Sequence, residues 1–189
     1  MNQKNRSWYI CGFADGEGSF NLSWRKRDDF LIGWRVAPVF NISQKDYTIL
    51  PLIQEHLACG TIRFRKDGVW VYEVDNLPLL DKIIIPFFKK HPFLSEKKRR
   101  DFARFQEIMK IISQGNKSKT YGDLEKLLEL VSSVEAKHAR KYTDQEILER
   151  AQDFWVKNKE KISARNQRYT KRGTRNKKGA ERSDAIRSV

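Results

Sequence analysis

Between Ile10 and Trp24 the chain changes its hydrophobic period within a few residues, and few folds allow that. Trp8-Tyr-Ile-Cys-Gly-Phe-Ala-Asp15 reads as a short helix with Ser7 as its N-cap, and Gly16-Glu17-Gly18 is a turn signal. From Ser19 onward the period is two: Phe20, Leu22 and Trp24 alternate with Ser19, Asn21, Ser23 and Arg25. A helix that passes into a strand this abruptly needs glycine at the join, where other residues would clash or strain. Gly12 strips a side chain from the helix, so a second helix can approach closely. The helix is too short to be stable alone, and a partner helix would meet that need.

The same parity recurs downstream. After the polar turn Arg27-Asp-Asp29, Trp34, Val36, Phe40 and Ile42 share one face, and Arg35, Asn41 and Ser43 share the other. A third run sets Ile62 and Phe64 against Thr61, Arg63 and Arg65, with Lys66-Asp-Gly68 as a hairpin turn. A fourth, Val69 to Val74, groups Trp70, Tyr72 and Val74. Helical segments separate and follow these strands. Asp46 to Leu57 is capped by Asp46 and stopped at Cys59-Gly60, although Pro51 weakens it; Leu77 to Phe88 carries Pro78 in its first turn. Ser95 caps a long helix, Glu96 to Ser113, whose Phe102, Phe105, Ile108, Met109 and Ile112 form an apolar stripe. Tyr121–Lys137 and Thr143–Asn158 are further helical stretches. The order helix–strand–strand–helix–strand–strand–helix–helix, with additional C-terminal helices, is an α+β fold on one four-stranded antiparallel sheet.

One sheet face is apolar and meets the helices. The other carries Ser19, Asn21, Ser23, Arg25, Arg35, Asn41, Ser43, Arg63 and Arg65, donors and positive charges with no carboxylate among them. A saddle of this kind can enter a major groove and reach base edges. Charge agrees: 38 Lys and Arg against 24 Asp and Glu give a net +14, which points to a polyanionic partner. The surplus is concentrated at the end, where residues 157–189 hold 12 basic and 3 acidic side chains. Residues 5–160 read as one domain and 161–189 as a basic tail too poor in apolar groups to order itself. With 39% hydrophobic and 12% aromatic residues, the domain can fill a core without staples. Cys11 and Cys59 are too few for a disulfide framework or a Cys-rich zinc site, and fit reduced packing thiols. His56, His91 and His138 have no metal-ligand spacing, and Asp81 with Glu96-Lys97-Lys98 only loosely suggests a restriction-type nuclease site. The N-terminus lacks a signal-peptide core and no apolar run reaches membrane-spanning length, so a secreted or membrane protein is not expected.

Ile10-Cys11-Gly12-Phe13-Ala14-Asp15-Gly16-Glu17-Gly18 resembles the LAGLIDADG motif of homing endonucleases. Ile10 and Cys11 keep the size and polarity of the family's Leu and Ala, and Glu17 is an alternative carboxylate at the last acidic position. The likeness covers roughly residues 5 to 115 and implies the LAGLIDADG fold, whose element order is the one read above. It also implies that Glu17 and the Gly16 carbonyl bind Mg²⁺, with Mn²⁺ substituting and Ca²⁺ binding without supporting cleavage. Gln44, after strand two, matches a residue that orders solvent near the metals, and Lys97 a basic residue near the cleaved phosphate, with Lys98 the neighbouring candidate. Thr48 stands where the family often has Arg.

Only one copy of the motif occurs. In this family that implies a homodimer, with Tyr9, Gly12, Phe13 and Asp15 on the shared interface. The implied activity is a double-strand cut with short 3′ overhangs in a long pseudo-palindrome. The alternative is an intron RNA maturase or a non-cleaving DNA-binding regulator on the same saddle, and its own intron RNA is a second candidate partner. The expected location is an organelle or a prokaryotic cytoplasm. Removing residues 165–189 should weaken DNA binding mainly at low salt and flatten the dependence of affinity on salt. An unchanged salt slope would refute a role for that segment.

Overall fold

The computed structural model describes residues 2–28, 30, 33–113, 121–132 and 142–158. Its elements are α1 (Gln3–Glu17), β1 (Gly18–Lys26), β2 (Trp34–Gln44), α2 (Ile49–Leu57), β3 (Thr61–Phe64) and β4 (Trp70–Val74). Then come α3 (Leu77–Leu79), a π-helical turn (Leu80–Ile84), α4 (Ile85–Lys90), α5 (Glu96–Ser113), α6 (Tyr121–Ser132) and α7 (144–158). The strands form one antiparallel sheet in the order β1-β2-β4-β3. The expected α+β class and four-stranded sheet are therefore present. The expected tail, 161–189, and the stretch 133–137 lie outside the described residues.

Register explains the parity. Gly18 pairs with Ile42 and Lys26 with Trp34, while Phe40 pairs with both Phe20 and Val74. Pro38 sits opposite Leu22, short of the Phe40–Val74 pair at which β4 begins to cover β2. The missing N–H of Pro38 thus falls where the strand has only one partner.

The helix-facing side meets two apolar clusters. Near the start of β1, the Phe20 ring touches those of Phe40, Phe88, Phe93, Phe102 and Phe105 at centroid distances of 4.9 to 5.9 Å. At the far end Trp24, Trp34 and Val36 pack with Ile108, Ile112, Leu124, Leu127, Leu128, Ile147 and Ala151. Trp34 is fully buried, and its indole N–H donates to the Ile147 carbonyl at 3.1 Å. The second cluster holds α6 and α7 to the sheet. Thr143 and Glu146 cap α7 reciprocally: the Thr143 N–H donates to the Glu146 carboxylate and the Glu146 N–H to the Thr143 hydroxyl.

Three element boundaries differ from the sequence expectation, each for a definable reason. Helix α1 starts at Gln3, because Asn2 caps it by accepting from the Asn5 N–H at 2.8 Å. Ser7 is then inside the helix, where its hydroxyl donates to the Gln3 carbonyl and lies 2.9 Å from His56 Nε2. In α2 the first helical residue is Ile49, so Pro51 sits in the first turn and removes no helix bond; Asp46 accepts from the Thr48 N–H and hydroxyl just upstream. Pro86, in the first turn of α4, follows the π-helical turn, and the segment runs on to Lys90 rather than ending at Phe88.

Asp15 ties α1 to α5. Its carboxylate accepts from the Leu94 and Ser95 N–H groups, each at 2.9 Å, and from the Ser95 hydroxyl. Ser95 Oγ in turn accepts from the Lys98 N–H, the expected cap of α5. Burial alone would raise the Asp15 pKa. The Ser95 and Leu94 bonds and the nearby Lys98 charge outweigh it and hold the carboxyl below its ordinary value of 3.8. The stability this link contributes is complete above that ordinary value and is lost as pH falls through the lowered native one. Acid titration of unfolding should therefore show Asp15→Asn flattening the dependence of stability on pH below about pH 4. An unaltered acid limb would contradict the link.

Candidate functional site

The end of α1, the start of β1 and the first turn of α5 meet at one point. Gly18 closes α1 by donating its N–H to the Ala14 carbonyl, and a Cβ there would lie 2.6 Å from that same oxygen. Only glycine fits, which is the physical content of the last motif position. Glu17, one residue earlier, projects from the helix end and is exposed. Lys98 is buried, and its ammonium donates to the Gly18 carbonyl. Burial pulls the Lys98 pKa below the usual lysine value, against the attraction of Asp101, Asp15 and Glu17. A positive charge is thus held beside the Glu17 carboxylate by the join itself.

Of the two neighbouring lysines named from the sequence, Lys98 is the one turned toward the α1–β1 join. Lys97 is 77% exposed and lies 4.0 Å from Asp101, on the outer side of α5. The buried side of that helix runs Lys98, Phe102, Phe105, Ile108, Met109 and Ile112. Extending the apolar stripe back four residues from Phe102 lands on Lys98, and this helical phase was the signal available in the sequence. Gln44 ends β2 two residues beyond Ile42, the register partner of Gly18, and opposite Trp70 of β4. The sheet therefore delivers it to the edge where α1 enters.

Oxygen donors at this point suit a hard cation. Glu17 offers a carboxylate, Gly16 a carbonyl in the last helical turn, and a helix C-terminus carries partial negative charge. Among the described residues no group of three or more His, Cys, Asp or Glu is placed to hold a metal. One chain brings one carboxylate, so further ligands must come from phosphate, water or a second chain.

The opposite sheet face carries the expected polar set. Ser19 pairs with Asn41, and Ser23 with Ala37, whose carbonyl accepts from the Ser23 hydroxyl. Asn41 and Ser43 continue across to β4, where Ser43 pairs with Val71, and Asn21 accepts from Ser19. Arg25 stands directly opposite Arg35. Both are exposed, and neither has an ion-pair partner among the described residues. Like charges facing each other across a ladder destabilise the sheet unless an anion joins them. Arg63 and Arg65 do have partners: Arg63 donates to Glu73 at 3.1 Å, and Arg65 pairs with Asp67 in the hairpin turn. The acid-free face is thereby corrected, since Glu73, paired with Asn41 and Thr61, lies on it.

One side of α1 is uncovered. Tyr9, Gly12 and Gly16 are exposed and Phe13 half-buried along a single stripe, with the Tyr9 and Phe13 rings stacked at 6.3 Å. A Cβ at Gly12 or Gly16 would meet nothing within 4 Å, so the small residues are not required by packing within the chain. Asp15 is turned away from this stripe toward α5.

The model of the LAGLIDADG endonuclease family matches residues 10–109. The archaeal intron-encoded homing endonuclease I-Vdi141I, solved in complex with DNA, superposes with a TM-score of 0.72 at 32% identity, over 82% of this chain and 99% of that one. Homing endonuclease I-ApeII of Aeropyrum pernix is 30% identical over 58% of this chain and 65% of its own length. DNA endonuclease I-CeuI of Chlamydomonas moewusii is 26% identical over 77% of this chain and 70% of its own length. The chain spans about a quarter of the length of fungal relatives from Podospora anserina and Neurospora crassa. A match through more than half of the chain, on the fold and the glycine-closed helix end described above, means that this chain belongs to the LAGLIDADG endonuclease family.

Proposed function

We propose that the chain is a site-specific DNA endonuclease that works as a homodimer with a divalent cation. The observation that carries this reading is the junction of Glu17, Gly18 and Lys98: an exposed carboxylate and a desolvated ammonium at the edge of a basic sheet face. Double-stranded DNA is the partner whose charge answers the facing Arg25 and Arg35. The register of exposed Asn21 and Arg25 with half-buried Ser19, Asn41 and Ser43 suits a major groove read from β1 and β2.

Glu17 and the Gly16 carbonyl are the groups that would hold the cation, Mg²⁺ first and Mn²⁺ in its place, with Ca²⁺ bound but inactive. Such a cation, when present, supplies Lewis acidity to phosphodiester hydrolysis. Lys98 sets positive charge against the phosphate from the α1–β1 join. Gln44 orients solvent at the end of β2. Two motif helices related by a two-fold axis would place one Glu17 toward each strand of a pseudo-palindromic site; membership of the family adds the expectation of a double-strand cut with short 3′ overhangs. The uncovered Tyr9, Gly12, Phe13 and Gly16 stripe supports that pairing. Intron-encoded relatives support an origin in an organelle or a prokaryotic cytoplasm; no helix among the described residues is long and apolar enough to cross a membrane.

Purified protein incubated with a plasmid library and Mg²⁺ should yield linear product, and Ca²⁺ should yield none. Glu17→Gln should abolish cleavage while leaving binding in Ca²⁺ intact. Lys98→Met should slow cleavage about 100-fold or more and Lys97→Met only a few-fold. Binding without any Mg²⁺-dependent cut would favour a regulator or maturase instead, and equal losses at positions 97 and 98 would remove Lys98 from the site. Gly12→Leu should block close helix approach and convert the dimer to monomer in gel filtration; a dimer that persists would exclude the α1 stripe as the interface.

A further inference from the structure

The four strands contain a single acidic residue, and it sits on the basic face. Glu73 stands between Asn41 of β2 and Thr61 of β3. From there its Oε2 accepts from Arg63 Nη2 at 3.1 Å, diagonally across the β3–β4 ladder. Both side chains stay reachable, Arg63 at 52% and Glu73 at 25% exposure. A carboxylate on a surface that meets phosphate works against binding, so a face made only to attract the backbone would not carry one.

Base edges give it a purpose. A guanidinium donates to N7 and O6 of guanine, and a carboxylate accepts from the N4 amino group of cytosine. Those atoms lie side by side across the major-groove edge of one G·C pair. Arg63 and Glu73 present the complementary row, donor fork beside acceptor, from adjacent strands. The same carboxylate repels O4 of thymine, so it discriminates against the wrong pair as well as favouring the right one. We propose that Glu73 is a specificity-determining residue which, together with Arg63, selects a G·C base pair at one position in each half-site. This rests on the reading of the sheet face as a DNA interface.

The test is a binding selection from a randomised duplex library in Ca²⁺, using the full chain and its Glu73→Gln variant. The wild type should enrich a motif with a G·C pair at one position per half. Glu73→Gln should lose about 10-fold or more of the preference at that position alone, and its retained preferences elsewhere report a folded protein. A duplex with that pair changed to A·T should weaken the wild type by a similar factor and the variant far less. Loss spread over all positions, or no change at any, would overturn the role of Glu73. If the wild type enriches no motif at all, the reading of the face as a sequence-specific DNA interface fails first, and this inference goes with it.

Discussion

The molecule depends on one place where the backbone leaves no room. Gly18 follows the last turn of α1 so closely, its N–H bonded to the Ala14 carbonyl, that any Cβ would clash with that oxygen, and β1 departs from this point. From that join the rest follows. The Gly18 carbonyl is turned to receive the Lys98 ammonium, and the Asp15 carboxylate reaches the first turn of α5. Glu17 is left projecting at the helix end. The motif therefore does two jobs with adjacent residues: Asp15 builds the joint, and Glu17 is free of it.

Burying Lys98 is unfavourable in itself, and that burial is the main cause of its lowered pKa. The cost is offset by packing. Phe102 and Phe105, on the same side of α5, lie against Phe20 of β1, so the helix cannot rotate to release the lysine without opening an aromatic core. A second, independent cluster around Trp34 braces the far end of the sheet through α6 and α7. The apolar clusters thus lie on one face of the sheet, and the other carries polar and charged side chains, Arg25 and Arg35 without ion-pair partners among the described residues.

Much of this was legible in the chain. Strand parity gave the sheet and its two faces, because a period of two is a direct consequence of the pleat. The α5 cap at Ser95 was readable for the same local reason. What escaped depended on phase or on distance. Lys97 and Lys98 differ by a single 100° step around a helix, and only the apolar stripe beyond them tells which points inward. Ser7 looked like a cap until Asn2 supplied one earlier. Glu73 was overlooked because its strand was read for the apolar side, Trp70, Tyr72 and Val74; alternation places residue 73 opposite them, beside Arg63 of another strand. Pro51 looked disruptive only while the helix start was set three residues too early.

A single chain offers one exposed carboxylate at the end of α1, one uncovered stripe on that helix and one basic sheet face. A second copy docked through α1 would double all three at once. Sedimentation equilibrium of the full chain on an enriched target duplex, in Ca²⁺ so that nothing is cut, measures this directly. A complex mass corresponding to two chains per duplex is predicted. One chain per duplex, across concentrations that saturate the DNA, would contradict it.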